Sequence, residues 1–184
     1  DFMNIFTDLS RREARLGRPL NVAVIGAGFL GGGLIHQLSK IRGMRPALVA
    51  NRTAERAEAA LRGAGVDPGK IVRSDDPEAA RRALDDGFRV VTGSYELPAL
   101  VPQIDVIMEA TGTLHIGTRV ALNAIEGKKH IVEANPEVQV TLGYLLKEKA
   151  DEAGVVYSDI DGDQPGIIMN LLGYTAGLGL TPMV

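Results

Sequence analysis

The six residues Gly26-Ala27-Gly28-Phe29-Leu30-Gly31 have the spacing G-x-G-x-x-G. The run Asn21–Ile25 before them reads as a buried strand, and an apolar helical period opens directly after them. In that setting each glycine has a physical task. Gly26 permits a tight turn, Gly28 removes a side chain that would block a pyrophosphate, and Gly31 lets the helix lie close on the strand. The first N–H groups of the helix and the positive end of its dipole would then hold phosphate oxygens. The arrangement points to a dinucleotide. Ala27, Phe29 and Leu30 complete the turn, the last two read as packing residues.

Twenty positions after Gly31, at the end of the second predicted strand, stand Asn51, Arg52 and Thr53. An acid is expected there when a ribose 2′-hydroxyl is to be bound. Here the carboxylate is missing and a guanidinium is adjacent, a pair of features that suits a 2′-phosphate. The residues therefore favour NADP, with NAD left open. Thr53 has two readings, a hydrogen-bond donor to that phosphate or the cap of the following helix. Two further turns belong to the same rim. Thr111 and Gly112 follow the fourth strand and should approach the cofactor's ribose and phosphate, and Asn135 follows the fifth. Its amide either bonds the nicotinamide ribose or carboxamide or serves the turn before Pro136.

Other chemistry is thinly represented. Asp159, Asp161 and Asp163 alternate after the sixth strand, but Gln164 and Asn170 stand where an EF-hand needs glycine and glutamate. One or two of these aspartates could still serve a divalent metal; solvated turn aspartates are the other reading. His36, His115 and His130 lack ligand spacing, and only His115 lies near the predicted rim. Cysteine is absent, which excludes disulfides, thiolate metal sites and a cysteine nucleophile. A net charge of −3 without long charge runs disfavours nucleic acid and anionic membranes as partners. No apolar run approaches the roughly 20 residues of a bilayer span. A cytoplasmic protein fits these features, with a small molecule as partner and a homo-oligomer as an open option.

The elements that must position these residues follow from periodicity. Strands are predicted at 21–25, 47–50, 89–92, 104–108, 130–133 and 155–158. Helices are predicted near 3–16, 28–41, 53–63, 76–86, 95–101, 115–126, 138–153 and 166–177. Such alternation demands crossover connections, hence an α/β fold: a doubly wound, mainly parallel sheet of about six strands with helices on both faces. We divide the 184 residues into an amphipathic arm (1–19), the Rossmann-type domain (20–179) and the apolar beginning of a downstream domain (180–184). Asp1 and Phe2 precede a Met3 that resembles a natural start.

The segments IDVIMEATG (104–112) and GKKHIVEAN (127–135) and the turn Gly162-Asp163-Gln164-Pro165-Gly166 resemble the nucleotide-binding domain of homoserine dehydrogenases. The resemblance extends to a bacterial homoserine-dehydrogenase-like group with a downstream SAF-type domain. That group includes a reductoisomerase-like enzyme acting on 1-deoxy-D-xylulose 5-phosphate. It implies an oxidoreductase whose catalytic groups lie mostly in a second domain, and the reductoisomerase chemistry implies a divalent metal. Homoserine dehydrogenases carry a catalytic lysine after the Ala-Asn of the fifth strand. This chain has Pro136 and Glu137 there, which speaks against homoserine as substrate. A regulatory, redox-sensing module without turnover is the alternative that these residues leave open.

Overall fold

The computed structural model describes residues 5–160, 162, 164–181 and 183. The strand Leu20–Ile25 (β1) is buried at all six positions, as expected for a strand covered on both faces. It lies at the middle of a seven-stranded sheet with β2 (Met44–Ala50), β3 (Ile71–Arg73), β4 (Arg89–Thr92), β5 (Val106–Glu109), β6 (His130–Glu133) and β7 (Tyr157–Asp159). The order is β3-β4-β2-β1-β5-β6-β7, and all six pairings are parallel. The strand that the sequence reading lacked is β3. It has only three residues, half-buried or exposed, at the sheet edge, too few to display a period.

Helices α1 (Ile5–Leu16), α2 (Phe29–Leu38), α3 (Ala54–Gly63), α4 (Pro77–Asp85), α5 (Leu97–Leu100), α6 (Leu114–Glu126), α7 (Pro136–Ala153) and α8 (Gln164–Gly177) complete the chain. Alternate residues of the strands feed two cores. Val22, Val24 and Val49 face Ile35 and Leu38 of α2 and Leu61 of α3. Ala23, Ile25, Leu48, Ile107 and Ile131 face α4 to α7 through Leu84, Leu97, Val120 and Leu146. Pro46 interrupts the β1–β2 ladder: Val22 pairs with Pro46 but Ala23 with Leu48, so Ala47 is an extra residue. A proline has no N–H to give, and a bulge accommodates the loss inside a central strand.

The chain leaves β1 toward β2 on one side and returns to β5 on the other. Where the directions diverge, above the ends of β1 and β5, an open α/β sheet forms its crevice.

Candidate functional site: a dinucleotide crevice

The glycine turn caps β1 at that switch point. Gly26 has φ +103°, and a Cβ on it would stand 2.5 Å from the Ala110 carbonyl oxygen, so two turns meet here at a distance only glycine allows. Gly31 is tighter still, since its Cβ would fall 1.8 Å from the Gly26 carbonyl oxygen. Gly28 differs: its φ of −79° suits any residue, and nothing lies within 4 Å of the Cβ it lacks. Two glycines are bare because the protein crowds them. The third is bare toward open space at the N-terminus of α2, the cradle a pyrophosphate requires. Phe29 and Leu30 do not pack as expected. Phe29 is fully exposed and Leu30 partly so, and the buried positions of α2 begin only at Gly31, followed by Ile35 and Leu38.

Asn51 fastens the turn from below. Its Oδ1 accepts the Ala27 N–H at 3.0 Å and its Nδ2 donates to the Thr53 carbonyl at 2.8 Å, so both ends of its amide are used within the protein. The exposed Arg52 and Thr53 follow it. Thr53 occupies the N-cap position of α3 without a side-chain capping bond, so of its two readings the cap is not formed. Among the described residues Arg52 enters no ion pair.

On the other side of the switch point, the Thr111 N–H donates to Glu109 Oε1 at 2.6 Å, and Gly112 adopts φ +67°. Asn135 is placed otherwise than at an open rim. It is 1% exposed, and its amide lies inside, with Nδ2 2.8 Å from where a Gly117 Cβ would be. Below it the sequence reading missed a feature. Glu109 and Glu133 end β5 and β6 side by side in register, and both are fully buried. Burial, the adjacent Glu109 carboxyl, and the charges of Glu109 and Asp159 push the Glu133 carboxyl up to about 10. Burial, then the neighbouring Glu133, Asp159 and Glu109 charges, also raise the Tyr157 hydroxyl, which donates to Gln139 Oε1 at 2.9 Å. A Glu at the end of each of two adjacent apolar strands, VIME and HIVE, was the signal available.

His115 lies exposed on the first turn of α6, His36 is exposed on α2, and His130 Nδ1 accepts the Val156 N–H. Asp161 and Asp163 lie outside the described residues. Among the described residues no three acids or histidines are grouped to hold a metal, and no helix is long and apolar enough to cross a membrane.

No family model matches the chain. Homoserine dehydrogenase of Pseudomonas aeruginosa is 31% identical over 142 residues, covering 76% of this chain and 28% of that protein. The 1-deoxy-D-xylulose 5-phosphate reductoisomerase of Halalkalibacterium halodurans is 33% identical over 106 residues, 56% of this chain and 27% of that protein. The chain thus spans about a quarter of the length of these relatives. Among solved structures, GenD2 from gentamicin A biosynthesis, in complex with NAD, superposes with a TM-score of 0.57 at 20% identity, covering 77% of this chain and 34% of GenD2. The chain is an α/β domain with the Rossmann-type fold of NAD-binding oxidoreductases, similar in sequence to homoserine dehydrogenase and to 1-deoxy-D-xylulose 5-phosphate reductoisomerase.

Proposed function

We propose that this chain is the NADP(H)-binding part of an oxidoreductase acting on a small hydroxy or oxo compound, phosphorylated in the reading that follows the reductoisomerase likeness. The observation that carries the proposal is the glycine turn at the switch point, open at Gly28 and closed by protein at Gly26 and Gly31. Gly28 and the first N–H groups of α2 would receive the pyrophosphate. Asn51 keeps the turn in shape through Ala27, while Arg52 and Thr53 offer a cation and a hydroxyl where a 2′-phosphate would sit. Thr111 and Gly112 would face the ribose of the nicotinamide half, over the buried Glu109 that orders their turn. When bound, the nicotinamide supplies the hydride chemistry.

The chain's own contribution is to bind and orient, and we place the general acid and the substrate pocket outside residues 1–184. The exposed His115 follows the Thr111 turn on the first turn of α6, and Glu137 stands where homoserine dehydrogenases carry lysine. Half a cleft does not fix a substrate about 3–3.5 Å from the reacting carbon. Oxidation of NADPH across a panel of aldehydes, oxo acids and sugar phosphates tests this. A full-length protein carrying the domain should turn over one of these classes, and residues 1–184 alone should bind NADPH without turnover. Equal turnover by the segment would overturn the division of labour, and homoserine oxidation would overturn the reading of Glu137.

A further inference from the structure

The row Glu109–Glu133–Asp159 crosses the C-terminal ends of β5, β6 and β7, with each residue in register with the next. Strand neighbours are about 4.8 Å apart, and equivalent residues of parallel strands point to the same face. Glu109 and Glu133 therefore meet beneath α6 and α7, on the face occupied by Ile107, Ile131 and Tyr157. Among the described residues no cation pairs with them. Arg119 and His115 of α6 and Lys147 of α7 are all exposed. The groups that bear on Glu133 are the acids Glu109 and Asp159, and the same three carboxyls bear on the Tyr157 hydroxyl.

As two carboxylates the pair has no proton between them. Glu109 Oε2 and both Glu133 oxygens are then buried without a partner, which is costly for a single polar group and more so for two like charges. One proton removes the repulsion of like charges and pairs two of these three oxygens, because a protonated carboxyl is a donor and its neighbour an acceptor. The other oxygen of Glu109 is already fixed, receiving the Thr111 N–H at 2.6 Å. Crowding from above holds the arrangement in place. Gly117 of α6 is bare against Glu109 Oε2 and the Asn135 amide, with a Cβ there falling 3.2 Å and 2.8 Å from them.

We propose that Glu133 is protonated at neutral pH and donates to Glu109, and that this pair is a positioning device that sets the Thr111–Gly112 turn against the cofactor. The link to the cofactor rests on the dinucleotide reading above; the shared proton does not. Ionising Glu133 drives a second negative charge against Glu109, so its hold on the Thr111 N–H loosens and dinucleotide binding weakens. An amide at position 133 keeps a donor toward Glu109 at every pH.

Infrared spectroscopy in D2O reads the proton directly. Wild-type protein should show the carbonyl stretch of a protonated carboxylic acid from pH 6 to pH 8, where exposed aspartates and glutamates are ionised. Glu133→Gln should lose that band. In titrations with NADPH, the wild-type affinity should fall about twofold between pH 8 and pH 10, as Glu133 becomes half ionised, while Glu133→Gln stays flat. A wild-type spectrum without the band would overturn the shared proton, and this arm needs no variant to fold. A band unchanged in Glu133→Gln would overturn it equally. Wild-type protein with the band but no NADPH binding would overturn the positioning role together with the dinucleotide reading. Equal pH dependence in wild type and variant would overturn the positioning role alone.

Discussion

At the N-terminal end of the sheet Arg18 grips Asp105 with two bonds of 2.6 and 2.9 Å, and the Asn21 N–H adds a third at 2.8 Å. The Asn21 side chain joins the Gln103 carbonyl to Arg45, and Lys129 donates to the Pro102 carbonyl. Arg89 donates to the Gly87 carbonyl just past α4, a cation placed at the negative end of a helix. At the C-terminal end of the same strands, Glu109, Glu133 and Asn135 are buried with polar atoms unmatched, and Phe29 stands fully exposed. The two ends are built from the same strands, yet a buried acid is held by a cation at one, Asp105 by Arg18, and by a proton at the other. The lesson is where this domain leaves its buried polar atoms unmatched: among the described residues the anchoring end has Arg89 Nε and Gln103 Oε1 without partners, while the crevice end has five such atoms.

The sharpest way to break this comparison is to load the crowded glycine. Gly31→Val places carbon against the Gly26 carbonyl, and we expect a stability loss of about 3 kcal/mol in urea denaturation. A variant as stable as wild type would mean that the turn relaxes freely.

Asp105→Ala, at the other end, should cost about 2 kcal/mol by removing a charge-assisted partner of Arg18 and Asn21, and should leave NADPH affinity unchanged. Burial by itself would raise the Asp105 carboxyl, but the hydrogen bonds and charge of Arg18 and the Asn21 N–H outweigh it and leave it below the usual range. Its contribution is present above the unfolded carboxyl value and is lost as pH falls. Glu133 has the opposite sign. Its folded value is raised, so the native state holds an extra proton between roughly pH 4.5, the unfolded value, and about 10. Its contribution is greatest in acid, and stability should decline across that window by up to about 1.4 kcal/mol per pH unit. Denaturation midpoints of wild type and Glu133→Gln from pH 6 to pH 9 sharpen the contrast: the wild type should fall and the variant should stay nearly level. Parallel curves would show that Glu133 is ionised in the native state.

The smallest effect belongs to the exposed Arg52. Arg52→Gln should weaken NADPH binding by about 1 kcal/mol, as expected for an exposed charge-assisted contact, without changing NADH binding. Calorimetric titration with each nucleotide measures it, and an equal loss for both would remove Arg52 from the 2′-phosphate reading.

Much of this was legible in the chain because it was local. NVAVI followed by GAGFLG specifies a buried strand, a turn and a helix within eleven residues, and the structure forms them there. The missing acid at Asn51 was equally plain, but the two bonds of its amide were not, since one partner is Ala27, 24 residues earlier. Phe29 misled for the opposite reason: an aromatic residue at a helix start suggests packing, and only the folded structure shows that the buried face of α2 runs through Gly31, Ile35 and Leu38 and leaves Phe29 exposed. In the sequence Glu109 follows one predicted strand and Glu133 ends the next. Their confrontation depends on β5 and β6 being neighbours in register, a relation across 24 residues that neither segment encodes alone.

The central claim, that the turn at Gly26–Gly31 holds a dinucleotide, is tested most directly by calorimetric titration of NADPH into wild type and Gly28→Val. Nothing surrounds the Gly28 Cβ position and its backbone angles suit valine, so the variant should keep the wild-type denaturation midpoint. We expect saturable binding by the wild type and none by the folded variant. Wild-type protein that binds no NADPH, or a folded Gly28→Val that binds it as tightly, would contradict the account.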